Sequence, residues 1–431
     1  MASVSHLVDP ALAGEDAASR RVLLLQGPVG PFFRNLQRAL EARGAEVTRV
    51  LFNAGDVLFA PDHKCVRMTG SLEGWRDWLT THLEQKRPDT IILFGAKRPA
   101  HRIARDLAEE AGIRVLALEE GYLRSGYVTC EEGGNNDQSP VCGMVPDLDE
   151  DVEGPSSAKI GSSFRIMSWW GFLYFTTRIF FSPKSDEPLI HRPLRGPITE
   201  AIFWLRNIIR LTTSRWLEAA RIHQLLRKHD QDYFLVPLQM PSDSQMGAAA
   251  RGWNIERLVD ATIRSFVNTR SVSKLVFKLH PLDGHAKSRE KMIRKIAGVH
   301  GVSEQVVVLH SGSIAKLSIH SKGMIVINST SGMTAIHHGT PLLVMGEAVF
   351  RHQSLVHCGD DESDIEAFMV EQRAASVEKR HAFERFLARE ALVPGDFYKR
   401  RGRLIAADQI AAMALETTVV ATGSNSEAQA S

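Results

Sequence analysis

Four short polar motifs each follow an apolar run, and their side chains suit chemistry at a sugar or a phosphate. The motifs are Leu118–Arg124 (LEEGYLR), Pro237–Gln245 (PLQMPSDSQ), Lys278–Pro281 (KLHP) and Ile327–Thr334 (INSTSGMT). The first contains adjacent carboxylates, the second a carboxylate and an amide, the third two basic side chains, and the fourth several hydroxyls. Together they offer groups for proton transfer, nucleophilic attack and anion binding.

Glu119 and Glu120 come directly after the predicted strand Arg114–Leu118. Like charge and partial burial raise the pKa of a carboxyl group, so either residue could act as a general acid or base. Because side chains alternate along a strand, we expect only one of the two to point into a cleft. The alternative interpretation is an acidic cap at the positive end of a helix.

Gln239 and Asp243 lie in the second motif, after the apolar run Tyr233–Leu238. A carboxylate at this place could attack an anomeric carbon as a nucleophile, and the amide could bind a ligand. Asp243 or Ser242 could instead cap the helix that follows.

Lys278 and His280 lie two residues apart, on one face of the strand that Pro281 ends. Two basic side chains on one face suit an anionic group.

Ser329, Thr330 and Ser331 stand between an apolar strand and a predicted helix. Their hydroxyls, the free N–H groups of the first turn and the helix dipole favour an anion, and the same hydroxyls suit a helix cap. The lysine and the spacing of a Walker A loop are missing. His337 and His338 on this helix lack further metal ligands, so we predict no metal site.

Apolar strands alternate with amphipathic helices along two stretches of the chain, a pattern typical of parallel α/β sheets. We therefore predict two Rossmann-like domains that face a cleft, with ligands at the carboxyl ends of the strands. The predicted segments are a flexible N-terminus over 1–19, the first domain over 20–155, a helical linking segment over 156–229, the second domain over 230–375, C-terminal helices over 376–416 with a break at Val393–Gly395, and a disordered tail over 417–431.

The bulk composition is that of a globular protein, with 44% hydrophobic and 24% charged residues among 431. A formal net charge of +2 argues against a dedicated nucleic-acid binder. The four cysteines are widely spaced and suit a reducing compartment. We see neither the apolar core of a signal peptide nor an apolar run long enough for a membrane span, so we expect a cytoplasmic protein.

Residues 164–216 are rich in aromatic side chains interleaved with arginine. We predict two helices here, separated around Pro183–Pro197. Trp and Arg suit a surface that meets anionic lipid, and the alternative is a helical core that packs on the second domain.

Taken in order, EEGYLR, PLQ with DSQ, HP and NSTSG resemble the capsule polysaccharide biosynthesis proteins of the KpsS/LipB type. The resemblance covers roughly residues 20–400. It implies a GT-B glycosyltransferase that moves Kdo, an acidic eight-carbon sugar, from CMP-Kdo to a phosphatidylglycerol-type lipid with retention. It implies no cofactor and no metal, and a place on the inner face of the inner membrane, near other capsule transferases.

The resemblance also implies roles for the motif residues. Asp243 would be the nucleophile and Glu120 or Glu119 the acid/base, His280 and Pro281 would hold the CMP phosphate with Lys278 and Gln239 nearby, and Ser329, Thr330 and Ser331 would contact the nucleotide and the sugar carboxylate. Two alternatives remain. One is a transferase with another donor, such as CMP-sialic acid or a UDP-sugar, and the other is a non-catalytic capsule export or scaffold protein.

Overall fold

The structure, a computed structural model, describes residues 19–60, 64–123, 126–146, 154–189, 218–240, 246–280 and 283–416. The strands are β1 Arg21–Leu24, β2 Glu46–Leu51, β3 Cys65–Arg67, β4 Thr90–Phe94, β5 Arg114–Glu120, β6 Tyr127–Glu132, β7 Tyr233–Pro237, β8 Lys274–Lys278, β9 Val306–Leu309, β10 Gly323–Val326, β11 Leu342–Val344, β12 His357–Cys358 and β13 Leu392–Pro394. The helices are α1 Phe32–Ala42, α2 Ala54–Leu58, α3 Leu72–Lys86, α4 Pro99–Glu110, α5 Phe164–Phe181, α6 Ile255–Asn268, α7 Ala286–Val299, α8 Ile314–Ile319, α9 Ser331–His338, α10 Glu362–Val370, α11 Val377–Glu390 and α12 Arg400–Leu415. Residues 218–228 are also helical.

The strands form two sheets with the same central strand order. The first sheet runs β13-β6-β5-β4-β1-β2-β3, in which β1 to β5 are parallel and β6 and β13 add antiparallel pairs at one edge. The second sheet runs β12-β11-β10-β7-β8-β9, and all of its pairs are parallel. An order that runs outward in both directions from the first strand is the Rossmann arrangement. The predicted fold of two Rossmann-like domains facing a cleft is confirmed.

Strand β1 shows why these strands are apolar along their whole length. Val22 and Leu24 pack against α1 and α12 on one face of the sheet, and Leu23 and Leu25 pack against α3 and α4 on the other. A parallel sheet covered by helices on both faces buries every residue of its inner strands, so a continuous apolar run replaces alternation. The sequence signal and the packing therefore have one cause.

The C-terminal segment returns to the first domain. β13 pairs with β6, and α12 packs on α1. The predicted break at Val393–Gly395 is confirmed, and the break contains a strand.

The Gly-, Asn-, Ser- and Asp-rich composition from about Glu131 to Ser163 predicts a long loop, and this is wrong at its start, because β6 extends to Glu132 and pairs with β5. The first of the two predicted aromatic helices is α5, and the second falls outside the described residues. Residues 1–18 of the flexible N-terminus predicted over 1–19, and the whole tail predicted over 417–431, also lie outside them. In the ranges that the structure describes, no helix has the length and apolarity needed to cross a membrane.

Candidate functional site

A cleft of about 1640 Å³ lies between the carboxyl ends of the two sheets. Every predicted site residue that the structure describes lines this cleft: Glu119 and Glu120 from the first sheet, and Gln239, Lys278, His280, Ser329, Thr330 and Ser331 from the second. The remaining predicted residues, Asp243 and Pro281, lie outside the described residues. These residues meet in one cleft because the parallel strands of a sheet all end at the same edge.

Gln239 and Asn328 join the two central strands of the second sheet. The Gln239 amide donates from Nε2 to Asn328 Oδ1 at 3.0 Å, and both side chains are buried. They follow β7 and β10, the pair at which the strand order reverses and where such folds bind ligands. The hydrogen bond fixes the floor of the cleft at this point.

Lys278 is a buried cation at the end of β8, with 4% of its surface exposed. Its Nζ donates to the Leu279 carbonyl at 3.3 Å. Burial lowers the pKa of the ammonium group below its usual value, and the negative charge of Glu218 opposes this shift. Because a buried charge is costly without a partner, an anion bound beside Lys278 would be stabilised by it.

His280 follows in the same motif, half-buried and lining the cleft. Both basic residues of this motif therefore line the cleft.

The hydroxyls before α9 both cap the helix and line the cleft. Ser329 Oγ accepts hydrogen bonds from the Ser331 N–H at 3.2 Å and from the Ser331 hydroxyl at 2.8 Å. Thr330, at the N-cap position, makes no capping bond with its side chain. The predicted cap is thus provided by Ser329, and the helix N-terminus opens toward the cleft, where it favours an anion.

Glu119 and Glu120 are both half-buried and both line the cleft. Both residues belong to β5, which ends at Glu120. The Tyr398 hydroxyl donates to Glu120 Oε1 at 2.5 Å. Burial, and next the charge of Glu120, raise the pKa of Tyr398 well above 10, so the hydroxyl keeps its proton and holds the carboxylate in place.

Glu131, a buried carboxylate on the neighbouring strand β6, was not identified from the sequence. Glu131 is 2% exposed and accepts hydrogen bonds from the hydroxyls of Tyr122, at 2.6 Å, and Ser139. The Asn136 N–H donates to the same Tyr122 oxygen. Burial raises the pKa of Glu131 to about 7, although these hydroxyls act in the opposite direction. No local signal marks Glu131, since the network joins residues across a turn.

The turn after β4 was also not identified from the sequence, although this turn follows the end of a parallel strand as the predicted motifs do. Residues 95–99 line the cleft beside the two glutamates, and the Gly95 N–H donates to the Leu118 carbonyl. Lys97 and Arg98 supply the basic side chains of this turn. Across the described part of the chain, no group of three or more His, Cys, Asp or Glu side chains is arranged to hold a metal ion.

Two Rossmann-like domains with polar strand ends around a shared cleft give the chain the architecture of the GT-B fold class. The chain belongs to the capsule polysaccharide biosynthesis protein family, whose model matches residues 89–398. It is 30% identical over 353 residues to the capsule polysaccharide export protein KpsS of Escherichia coli, covering 79% of this chain and 88% of that protein. It is 26% identical over 398 residues to the capsule polysaccharide modification protein LipB of Neisseria meningitidis serogroup B, covering 89% and 93%.

Among solved structures, the chain is similar to Thermosulfurimonas dismutans KpsC, a beta Kdo 2,7 transferase. The match has a TM-score of 0.42 and 11% identity, and covers 91% of this chain and 97% of that one.

Proposed function

We propose that this protein is a glycosyltransferase that moves Kdo from CMP-Kdo to a phosphatidylglycerol-type lipid during capsule polysaccharide biosynthesis, with retention of configuration. One observation carries the proposal: two glutamates from the first sheet and a buried lysine, an amide and hydroxyls from the second line one cleft. A proton acceptor opposite an anion site is the arrangement that transfer from a sugar nucleotide requires.

The second domain would hold the donor. The phosphate of CMP would lie near Lys278 and His280 at the end of β8, and the N-terminus of α9 with its hydroxyls would bind the sugar carboxylate. Cations and N–H groups stabilise the negative charge of the departing CMP, so we propose neither a metal nor a cofactor.

The reaction would proceed in two steps, and the first domain would activate the acceptor in the second step. In the first step Asp243 attacks the anomeric carbon, the bond to the phosphate oxygen breaks, and CMP leaves with the bonding electrons. In the second step the acceptor oxygen attacks the same carbon, Glu120 or Glu119 takes its proton, and the Asp243 carboxylate is released. Two inversions give retention.

The protein would act on the cytoplasmic side of an anionic membrane, and the exposed aromatic residues of helix α5 support contact with a membrane surface. Phe180 and Phe181 are 64% and 72% exposed, and Trp169 stacks on the exposed ring of Phe172. The opposite face of α5 packs on the first domain, and Met167 reaches the cleft. Exposed aromatic residues suit the lipid interface. This surface would bring the lipid acceptor to the cleft, and it would lie near neighbouring capsule transferases.

The test is transfer of Kdo from CMP-Kdo to a fluorescent phosphatidylglycerol analogue. We expect product with the wild type and a loss of at least about 10³-fold for Asp243→Ala, as for other covalent nucleophiles. Asp260→Ala on the exposed face of α6 is the matched control and should keep full activity.

Other outcomes would revise the proposal in defined ways. Full activity in Asp243→Ala would remove its role as nucleophile. Transfer from CMP-sialic acid or a UDP-sugar in place of CMP-Kdo would change the donor. No transfer from any of these donors would favour a non-catalytic export or scaffold role, the kind of role that the name of the Escherichia coli relative describes.

A further inference from the structure

The reversal of strand order in the first sheet lies between β1 and β4, and the predicted glutamates lie one strand away from it. By the rule for open α/β sheets, a ligand group is expected at this reversal as well. The turns that follow β1 and β4 are Gln26–Gly27 and Gly95–Arg98. The second turn lines the cleft.

Arg98 is the cation that this place presents. Its Nη1 donates to Gln26 Oε1 at 2.6 Å, and its guanidinium carbon lies 5.0 Å from the centre of the Phe94 ring. The neighbouring Lys97 has its Nζ 2.5 Å from Asp137. The planar guanidinium of Arg98 offers several N–H donors in a fixed fork, a geometry that matches the oxygens of a phosphate.

Gln26 is held in the one orientation that serves Arg98. Its Nε2 donates to both oxygens of buried Asp56, at 2.9 and 3.2 Å, and to the Tyr174 hydroxyl at 3.0 Å. Because a carboxylate only accepts hydrogen bonds, the amide nitrogen must face Asp56 and the amide oxygen must face Arg98. The guanidinium position is thus fixed from the sheet outward.

His101 fixes the two turns relative to each other. Burial, and next the charge of Arg98, lower the pKa of its imidazole to about 3, so the ring is neutral. A backbone N–H can only donate, so Nε2 accepts from the Gln26 N–H at 3.3 Å and Nδ1 donates to the Gly95 carbonyl at 3.0 Å. The bridge joins the ends of β1 and β4 directly.

We infer that Arg98 binds the phosphate of the acceptor, in a specificity site separate from the donor anion site. This inference rests on the proposed function. The Gly95 N–H donates to the carbonyl of Leu118, the residue before Glu119. A phosphate bound at Arg98 would therefore place the acceptor hydroxyl, which is a few bonds from that phosphate, near the two glutamates. A planar guanidinium suits the paired oxygens of a phosphodiester better than an ammonium does. Tyr174 belongs to α5, which places this site directly behind the proposed membrane surface.

The test compares two acceptors with the same chains, a fluorescent phosphatidylglycerol analogue and a fluorescent alkyl glycerol without phosphate. Arg98→Gln should raise KM for the phosphatidylglycerol analogue roughly 10- to 100-fold, the range for a lost charge-assisted contact. KM for CMP-Kdo and use of the alkyl glycerol should not change. Arg98→Lys should recover only part of the loss. Arg102→Gln, one turn further along α4 and exposed, is the matched control.

Three results would overturn the inference. Equal losses with both acceptors would mean that Arg98 only stabilises the fold. A higher KM for CMP-Kdo alone would assign Arg98 to the donor. If the wild type transfers to neither acceptor, the proposed function fails, and calorimetric binding of glycerophosphoglycerol then decides: weaker binding by Arg98→Gln supports the phosphate site, and equal binding contradicts it.

Discussion

The carboxyl edges of the two sheets differ in charge although their central strands follow the same order. The edge of the second sheet has a buried lysine, an amide pair and a helix N-terminus with hydroxyls. The edge of the first sheet has Glu119 and Glu120, with an arginine held at the point where the strand order reverses. The same scaffold thus presents mostly donors and a buried cation on one side of the cleft, and two carboxylates with an arginine on the other.

This difference shows that the fold sets where a ligand binds, and the strand-end residues set what binds. In the second domain the polar groups are mostly donors and cations, which suit a sugar nucleotide. In the first domain the Glu120 carboxylate is fixed by Tyr398, a residue far away in the chain. A carboxylate held in one orientation suits proton abstraction from a bound hydroxyl.

The largest effect should come from the glutamates. Glu120→Gln should lower kcat by about 10² to 10⁴, the usual contribution of a general base, because Tyr398 holds this carboxylate in place. Glu119→Gln should lower kcat less. Turnover at saturating CMP-Kdo is the measurement, and Glu132→Gln, an exposed residue of the same sheet, is the control. The reverse order of effects would assign the base to Glu119.

An intermediate effect is expected at helix α5, on the outer side of the first domain. Trp169→Ser with Phe180→Ser should weaken binding to phosphatidylglycerol vesicles roughly 10- to 100-fold, because exposed aromatic area then no longer enters the interface. Co-sedimentation with vesicles measures this binding. Val272→Ser with Val299→Ser removes exposed apolar residues elsewhere and should have no effect. Equal loss in both double variants would contradict a specific membrane surface.

The smallest expected effect is the pH dependence of stability that comes from Glu131, a residue of the first domain. Folding raises the pKa of Glu131 from 4.5 to about 7, so the folded protein keeps a proton that the unfolded chain releases between these values. The contribution of Glu131 to the free energy of unfolding therefore falls by roughly 1–3 kcal/mol in total as pH rises through that window. Above the window this contribution is constant.

Urea unfolding of Glu131→Gln at about pH 5 and about pH 8 would measure this contribution by linkage. The variant should lose less stability across this range than the wild type does. Glu132→Gln, the exposed neighbour, should follow the wild type. An unchanged pH dependence in Glu131→Gln would show that this carboxylate is already ionised in the folded protein.

The sequence predicts the parallel core well because burial on both faces leaves a continuous apolar run. The sequence runs EVTRVL and TIILF predict strands at Glu46–Leu51 and Thr90–Phe94, and these are β2 and β4. Motifs at strand ends could also be placed together without a structure, since parallel strands end at one edge. This is why Glu119, Gln239, Lys278 and Ser329 could be assigned to one cleft.

Contacts between distant segments could not be predicted. Tyr398 is 278 residues from Glu120, and Tyr174 is 148 residues from Gln26. The edge strand β13 is three residues long, contains a proline, and gives no periodic signal. Local patterns describe which face of an element is buried, but they do not identify which other element covers it.

The most direct test of the division between the two halves is calorimetric binding of CMP to three single variants. Lys278→Met should weaken CMP binding roughly 10- to 100-fold, because a buried cation beside the phosphate is lost. Glu120→Gln in the first sheet and Lys274→Met at the opposite end of β8 should bind CMP as the wild type does. Unchanged binding by Lys278→Met together with a loss in Glu120→Gln would contradict the placement of the nucleotide in the second domain.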